Sequence, residues 1–173
     1  MISRVRTRSH RMRAATKRRH LTGVRFVFSA TVPASMREVV EILFFFNPRQ
    51  PLLRSPIAET VRRTGIPEIF ERHGRVWIDV PERAMQCLFV SALSQEACHP
   101  VGVALFERQT FDVLTISHLA VNPDYASQGN NRSAGLGVLL IRKIGEIARS
   151  IKGVARVQMP YREDCFLRLG DGF

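Results

Sequence analysis

A chain of 173 residues, 45% apolar and 24% charged, has the composition of one soluble globular domain with a single core. No apolar run is long enough to span a bilayer, since the phenylalanine-rich run at residues 42–46 ends at Asn47-Pro48. The net charge of +11 is unevenly placed: eight of the 26 Lys and Arg, and no acid, fall in residues 1–20, so the rest of the chain sets 18 basic residues against 15 acidic ones.

The basic side chains of that first stretch are Arg4, Arg6, Arg8, Arg11, Arg13, Lys17, Arg18 and Arg19. Residues 1–22 therefore read as a basic arm, expected to be disordered, ahead of one domain over residues 23–173. Such an arm suits contact with nucleic acid through phosphate neutralisation. It equally suits a solvated tail, an Arg-rich targeting segment or an over-extended start, because Met12 lies inside it. Cys87, Cys98 and Cys165 have neither metal spacing nor an even disulfide set, which points to free thiols in a reducing compartment, the cytoplasm. His10, His20, His73, His99 and His118 are scattered and form no paired metal motif.

In chain order, residues 24–32 alternate β-formers and predict a strand closed by Pro33. Ser35, with Glu38 three residues on, predicts a capped helix that carries Val39, Val40, Ile42, Leu43 and Phe46. The Phe44-Phe45-Phe46 triplet is wider than one helix stripe and reads as core plus the wall of a pocket. Ser55-Pro56 opens a second helix. It reaches about Arg63, or continues through Gly65-Ile66-Pro67 as a further short helix to His73. Strands follow at residues 75–80, 85–93, 101–107 and 113–121, close enough for an antiparallel meander, with a polar turn at residues 94–100. A helix over residues 135–151, a strand at 154–159 and a short helix at 162–169 complete the pattern.

The stretch that organises these elements is the apolar strand ending Leu119-Ala120-Val121-Asn122-Pro123, then Arg132-Ser133-Ala134-Gly135-Leu136-Gly137, then the helix run Val138-Leu139-Leu140. Glycines let the backbone approach a ligand closely, and the free N–H groups and dipole of a helix start attract an anion. The stretch therefore reads as a pyrophosphate cradle. It resembles the acetyl-CoA-binding signature of the GNAT N-acetyltransferases, Gln/Arg-x-x-Gly-x-Gly/Ala, and the resemblance covers roughly residues 101–170. Gln128-Gly129 offers another alignment, but only the frame from Arg132 puts both glycines at the head of the helix. The loop before it is several residues longer than the usual family form.

The resemblance implies a mixed α/β fold with a mainly antiparallel sheet flanked by helices. It implies acetyl-CoA as cosubstrate, with no metal, and direct transfer of the acetyl group to a primary amine. Arg132, Ser133, Ala134, Gly135, Leu136, Gly137 and Val138 would hold the pyrophosphate. The backbone of Leu119, Ala120 and Val121 would pair with the pantetheine arm where the fourth and fifth strands splay apart. A base, a donor to the carbonyl oxygen and an acid for the thiolate are then needed.

Here the chain departs from the family. Phe166 stands where the family often places its acidic tyrosine, so Tyr161, or Cys165, is left for that role, and each is equally a packing residue. His118 is the candidate base, with Glu107 or water in reserve. Period-2 alternation puts Thr115, Ser117 and Leu119 on one face and Ile116 and His118 on the other, so His118 is equally a structural histidine. Family members also continue past the Gly172-Phe173 pair, so the fold is expected to lack its last C-terminal strands and to leave a sheet edge for a partner or the N-terminal region to cover. The expected partners are a small-molecule or protein amine acceptor, nucleic acid through residues 1–20, a second copy in a homodimer, and no membrane. The alternative is a GNAT-shaped binding module without catalysis.

Overall fold

The computed structural model describes residues 25–48, 50–93, 98–126, 135–162 and 164–170. The basic arm, and Arg132, Ser133 and Ala134 of the glycine loop, lie outside the described residues.

The expected first strand is split between two sheets, as β1 (Arg25–Ser29) and the two-residue β2 (Val32–Pro33). A 3-10 turn then leads into α1 (Arg37–Phe45), which starts at Met36 without a side-chain cap, so the Ser35–Glu38 capping box does not form. α1 buries Val40, Leu43 and Phe44 and ends before Asn47-Pro48, while Phe46 is left 72% exposed. α2 (Arg54–Thr64) begins ahead of Ser55 with Leu53 at its uncapped start, so Ser55-Pro56 occupies the first turn instead of the cap. It ends at Gly65, whose φ of 97° suits only glycine without strain.

Beyond Gly65 the further short helix to His73 is replaced by a hairpin of β3 (Glu68–Arg72) and β4 (Arg75–Asp79). Its turn has positive φ at both His73 (52°) and Gly74 (69°), the requirement of a two-residue mirror-image turn. Asn-Gly is the usual signal for that geometry, and His-Gly carries it here. Phe70 stacks on Trp77 directly across the pair, with ring centroids 5.9 Å apart.

β5 (Gln86–Leu93), β6 (Cys98–Arg108) and β7 (Val113–Val121) form the expected antiparallel meander. β6 starts earlier than expected. Pro100 is taken into it next to a register shift, the kind of irregularity at which a strand tolerates proline. α3 (Leu136–Ser150) crosses over to β8 (Arg156–Gln158), which pairs parallel with β7. The expected last helix is absent. β9 (Phe166–Arg168) instead pairs antiparallel with β8, from Arg156 opposite Arg168 to Gln158 opposite Phe166. The edge of β8, expected to be open, is thus covered within the chain by β9. Three residues are too few for periodicity to separate a strand from a helix.

The result is a mixed α/β fold. A mainly antiparallel sheet of order β1-β5-β6-β7-β8-β9 has α3 on one face; α1 and the small sheet β2-β4-β3 cover the other. Alternate residues of β6 enter opposite cores, Ala104 and Phe106 towards α3, Val103 and Leu105 towards α1. Burial on both faces explains why the strand reads as a continuous apolar run instead of an alternating one. Among the described residues, no helix is long and apolar enough to cross a membrane, and no group of His, Cys, Asp and Glu is placed to hold a metal.

Candidate functional site

β7 and β8 stay together only where Val113, Leu114 and Thr115 face Arg156, Val157 and Gln158. The Thr115 hydroxyl lies 2.9 Å from Gln109 Oε1 and 3.0 Å from Gln158 Oε1 at the last paired position. After it β7 runs on to Val121, while the other branch turns away through Met159-Pro160-Tyr161. Tyr161 takes a φ of 61°, an uncommon conformation for a bulky side chain, and its hydroxyl accepts a hydrogen bond from the Leu119 N–H at 3.3 Å.

A bulge in β7 decides what faces this fork. Leu105 of β6 is opposite His118 and Phe106 is opposite Ile116, so Ser117 is the extra residue. Leu114 and Ile116 before the bulge, and Leu119 and Val121 after it, all pack towards α3. His118 and Ala120 are turned to the α1 side, where the His118 ring meets Phe44 at 5.8 Å between centroids. The uninterrupted alternation that puts Ile116 and His118 on one face is therefore wrong, because one inserted residue inverts every position after it.

Backbone groups along β7 follow the same geometry. In an antiparallel ladder the N–H and C=O of one residue point the same way. The Leu119 N–H reaches Tyr161, and the Val121 carbonyl accepts from Asn47 Nδ2 at 2.9 Å, so both residues turn their backbone groups away from β6. The Leu119 carbonyl and the Val121 N–H accordingly face the cleft. Across it stands the first turn of α3. A Cβ built on Gly137 lies 3.5 Å from the Leu119 side chain and 3.9 Å from that of Val121. The first bonds within α3 are those from Val138 N and Leu139 N to the Gly135 carbonyl, at 2.9 and 3.2 Å. The N–H groups of Leu136 and Gly137 precede them and have no partner inside the helix.

Between these edges lies a cavity of about 490 Å³, lined by Leu119, Ala120, Val121, Gly135, Gly137 and Val138 as well as by His118 and Tyr161. All of the expected site residues that are described therefore meet in one place, apart from Leu136, which is buried in the core behind them. The chain matches no protein-family model, no curated protein and no solved structure. The chemistry is set by the groups that meet in the cleft.

His118 is 4% exposed and its Nε2 has no hydrogen-bond partner, and the same holds for the buried Ser117 Oγ. Burial pushes the His118 pKa down to about 4, so its imidazole is neutral at neutral pH. The Tyr161 ring lies 6.4 Å from that of His118. Burial raises the Tyr161 pKa, against the opposing hydrogen bond from Leu119, and its own O–H remains available to donate. The reserve candidates are elsewhere. Glu107 is held by Arg83 at 2.5 and 3.1 Å and does not line the cavity; neither does Cys165. Phe166 belongs to β9, beneath the Arg156 guanidinium at 4.8 Å.

Two further polar side chains line the cavity, Asn47 and Gln50. Asn47, a helix stop by sequence, is a buried strut between α1 and Val121. Gln50 donates to the Phe44 carbonyl at the end of α1. An Asn-Pro pair announces a helix end, but nothing in it reports a contact 74 positions away.

Proposed function

We propose that the cleft binds an acyl-CoA and that the protein transfers the acyl group, acetyl in the simplest case, to the amine of an acceptor. The observation that carries this reading is the fork between β7 and β8, whose open edge leads from the first turn of α3 to Tyr161 and His118. The N–H groups of Leu136 and Gly137 suit a pyrophosphate, aided by the helix dipole. The Leu119 carbonyl and Val121 N–H suit the amides of a pantetheine arm added as one more strand.

When bound, the thioester supplies an activated carbonyl carbon. His118, unpartnered at Nε2, takes the proton that the amine nitrogen sheds as the new N–C bond forms and, being a weak base when buried, passes it on to solvent. The Tyr161 O–H gives its proton to the sulfur as the C–S bond breaks, and the raised pKa keeps that hydroxyl protonated at neutral pH. The walls around the two groups are mostly apolar, and low polarity strengthens their electrostatic interactions with the reacting atoms. The charge gathered in residues 1–20 favours a second reading, a GNAT-shaped module that contacts nucleic acid and does not catalyse.

Calorimetry with CoA and acetyl-CoA, on the intact protein and on Gly137→Glu, separates the two. Gly137 is in the first turn of α3, where an acid favours the helix, and a Cβ there makes only ordinary contacts. The substitution leaves room at Cβ and sets a carboxylate against the pyrophosphate, with an unchanged melting transition of the variant as the control. Binding in the micromolar range that Gly137→Glu abolishes is the expected result. No heat with millimolar ligand on the intact protein would sink the acyl-CoA reading.

A further inference from the structure

The cavity extends past the pair formed by His118 and Tyr161. The part of its lining that comes from α1, α2 and the segments beside them is mostly apolar, with Phe44, Phe45, Ile57, Val61, Ile66 and Pro67, while the Asn47 and Gln50 amides there donate to the Val121 and Phe44 carbonyls. Among the described lining residues none is Asp, Glu, Lys or Arg. An acetyl group needs room for a single methyl beyond the carbonyl, and this wall offers several apolar side chains more. A polar or charged group placed against it would lose its hydration with nothing in return, whereas a hydrocarbon gains from every methylene removed from water.

We propose that this wall takes the hydrocarbon tail of the donor, so that the acyl group carried is a medium-length aliphatic chain instead of acetyl. The inference rests on the acyl-CoA reading of the cleft and narrows it. A donor anchored at the first turn of α3 and running along Val121 and Leu119 brings its thioester to Tyr161 and His118. The next surface is Phe44, in ring contact with His118. An amine acceptor buried along this wall would enter as an ammonium ion and meet no carboxylate there, which assigns the wall to the neutral acyl chain. The outer end is open, with Ile66 67% exposed, so chains longer than the wall emerge into solvent instead of being refused.

The test is a calorimetric series on the full chain with CoA and with acetyl-, hexanoyl-, octanoyl- and decanoyl-CoA. Affinity is expected to rise by roughly fourfold for each buried methylene and then to level off once the chain reaches the open end. Ile57→Trp, which fills the wall from α2, is expected to bring octanoyl-CoA down to the affinity of acetyl-CoA, and Val61→Phe to shorten the length at which the rise stops. Should either variant fail to give a native melting transition, the series on the unaltered chain still decides. Equal affinities from acetyl to decanoyl, with CoA itself binding, overturn the tail assignment and leave the cleft reading intact. The same flat series with octylamine binding in the presence of CoA gives the wall to the acceptor and equally overturns it. Absence of binding by any CoA species removes the cleft reading and this inference together.

Discussion

His118 links the site to the stability of the fold. Its imidazole is buried against Phe44, and its folded pKa of about 4 is well below the ordinary histidine value of 6.5. Between those two values the unfolded chain binds a proton that the folded chain refuses. Stability therefore rises with pH across the window, and this contribution is lost as pH falls from 6.5 towards 4, by about 3 kcal/mol in all. Urea unfolding at pH 7 and pH 5 checks it. The intact protein is expected to lose more stability between the two than His118→Phe, in which that proton has no site; an equal loss in both would show that His118 is not the buried group responsible. His118 and Tyr161 were legible in the sequence as the two side chains of suitable chemistry. Their meeting was not, because it depends on a positive φ at Tyr161 and on a bulge at Ser117, and neither residue type announces that conformation.

At the scale of elements, the close approach of α3 to the sheet is set at Gly102 of β6. A Cβ there lies 2.8 Å from Val90 Cγ1 and 3.1 Å from Leu140 Cδ1, so a methyl group must displace those side chains. Gly102→Ala is expected to cost about 1–2 kcal/mol, overpacking offset in part by the lower entropy of the unfolded chain. A denaturant midpoint unchanged or raised would show that the α3 face is loosely packed. The same packing explains which elements were readable. β7 was placed to the residue, because Asp112 and Asn122-Pro123 bound a long apolar run. α3 was placed within one residue at each end, since Leu136, Leu140, Ile144 and Ala148 repeat at helical spacing and are all buried. β3 was unreadable, because its half-buried Ile69 and Phe70 stand among charged residues and its turn lacks the usual signal. β9 was unreadable because a three-residue strand takes its conformation from its partner, here β8, with Leu167 packed near Gly145.

For the molecule as a whole, the net positive charge is concentrated at one end of the sequence. Among the described residues both hydrophobic cores begin at Phe26 or later, and eight basic side chains with no acid fall in residues 1–20 of the sequence. Removing residues 1–22 takes away eight of the basic side chains and with them most of the net positive charge. If the arm neutralises phosphates, each basic contact releases condensed counterions, and eight contacts would give log K against log salt a slope as steep as about −7 on duplex DNA. The expected outcome is retention of the full chain on duplex or single-stranded nucleic acid at low salt, a steep loss as salt is raised, and no retention of the shortened chain at any salt. Elution of both chains at one salt concentration would exclude the arm as the contact. A retained shortened chain would move the contact onto the domain itself, where 18 basic residues against 15 acidic ones leave little field to attract a polyanion. CoA binding is expected to be the same in both chains, because the described groups of the cleft all lie between Phe44 and Tyr161. The arm would then govern contact with a polyanion and the cleft the binding of CoA, two properties that the deletion separates in one pair of measurements.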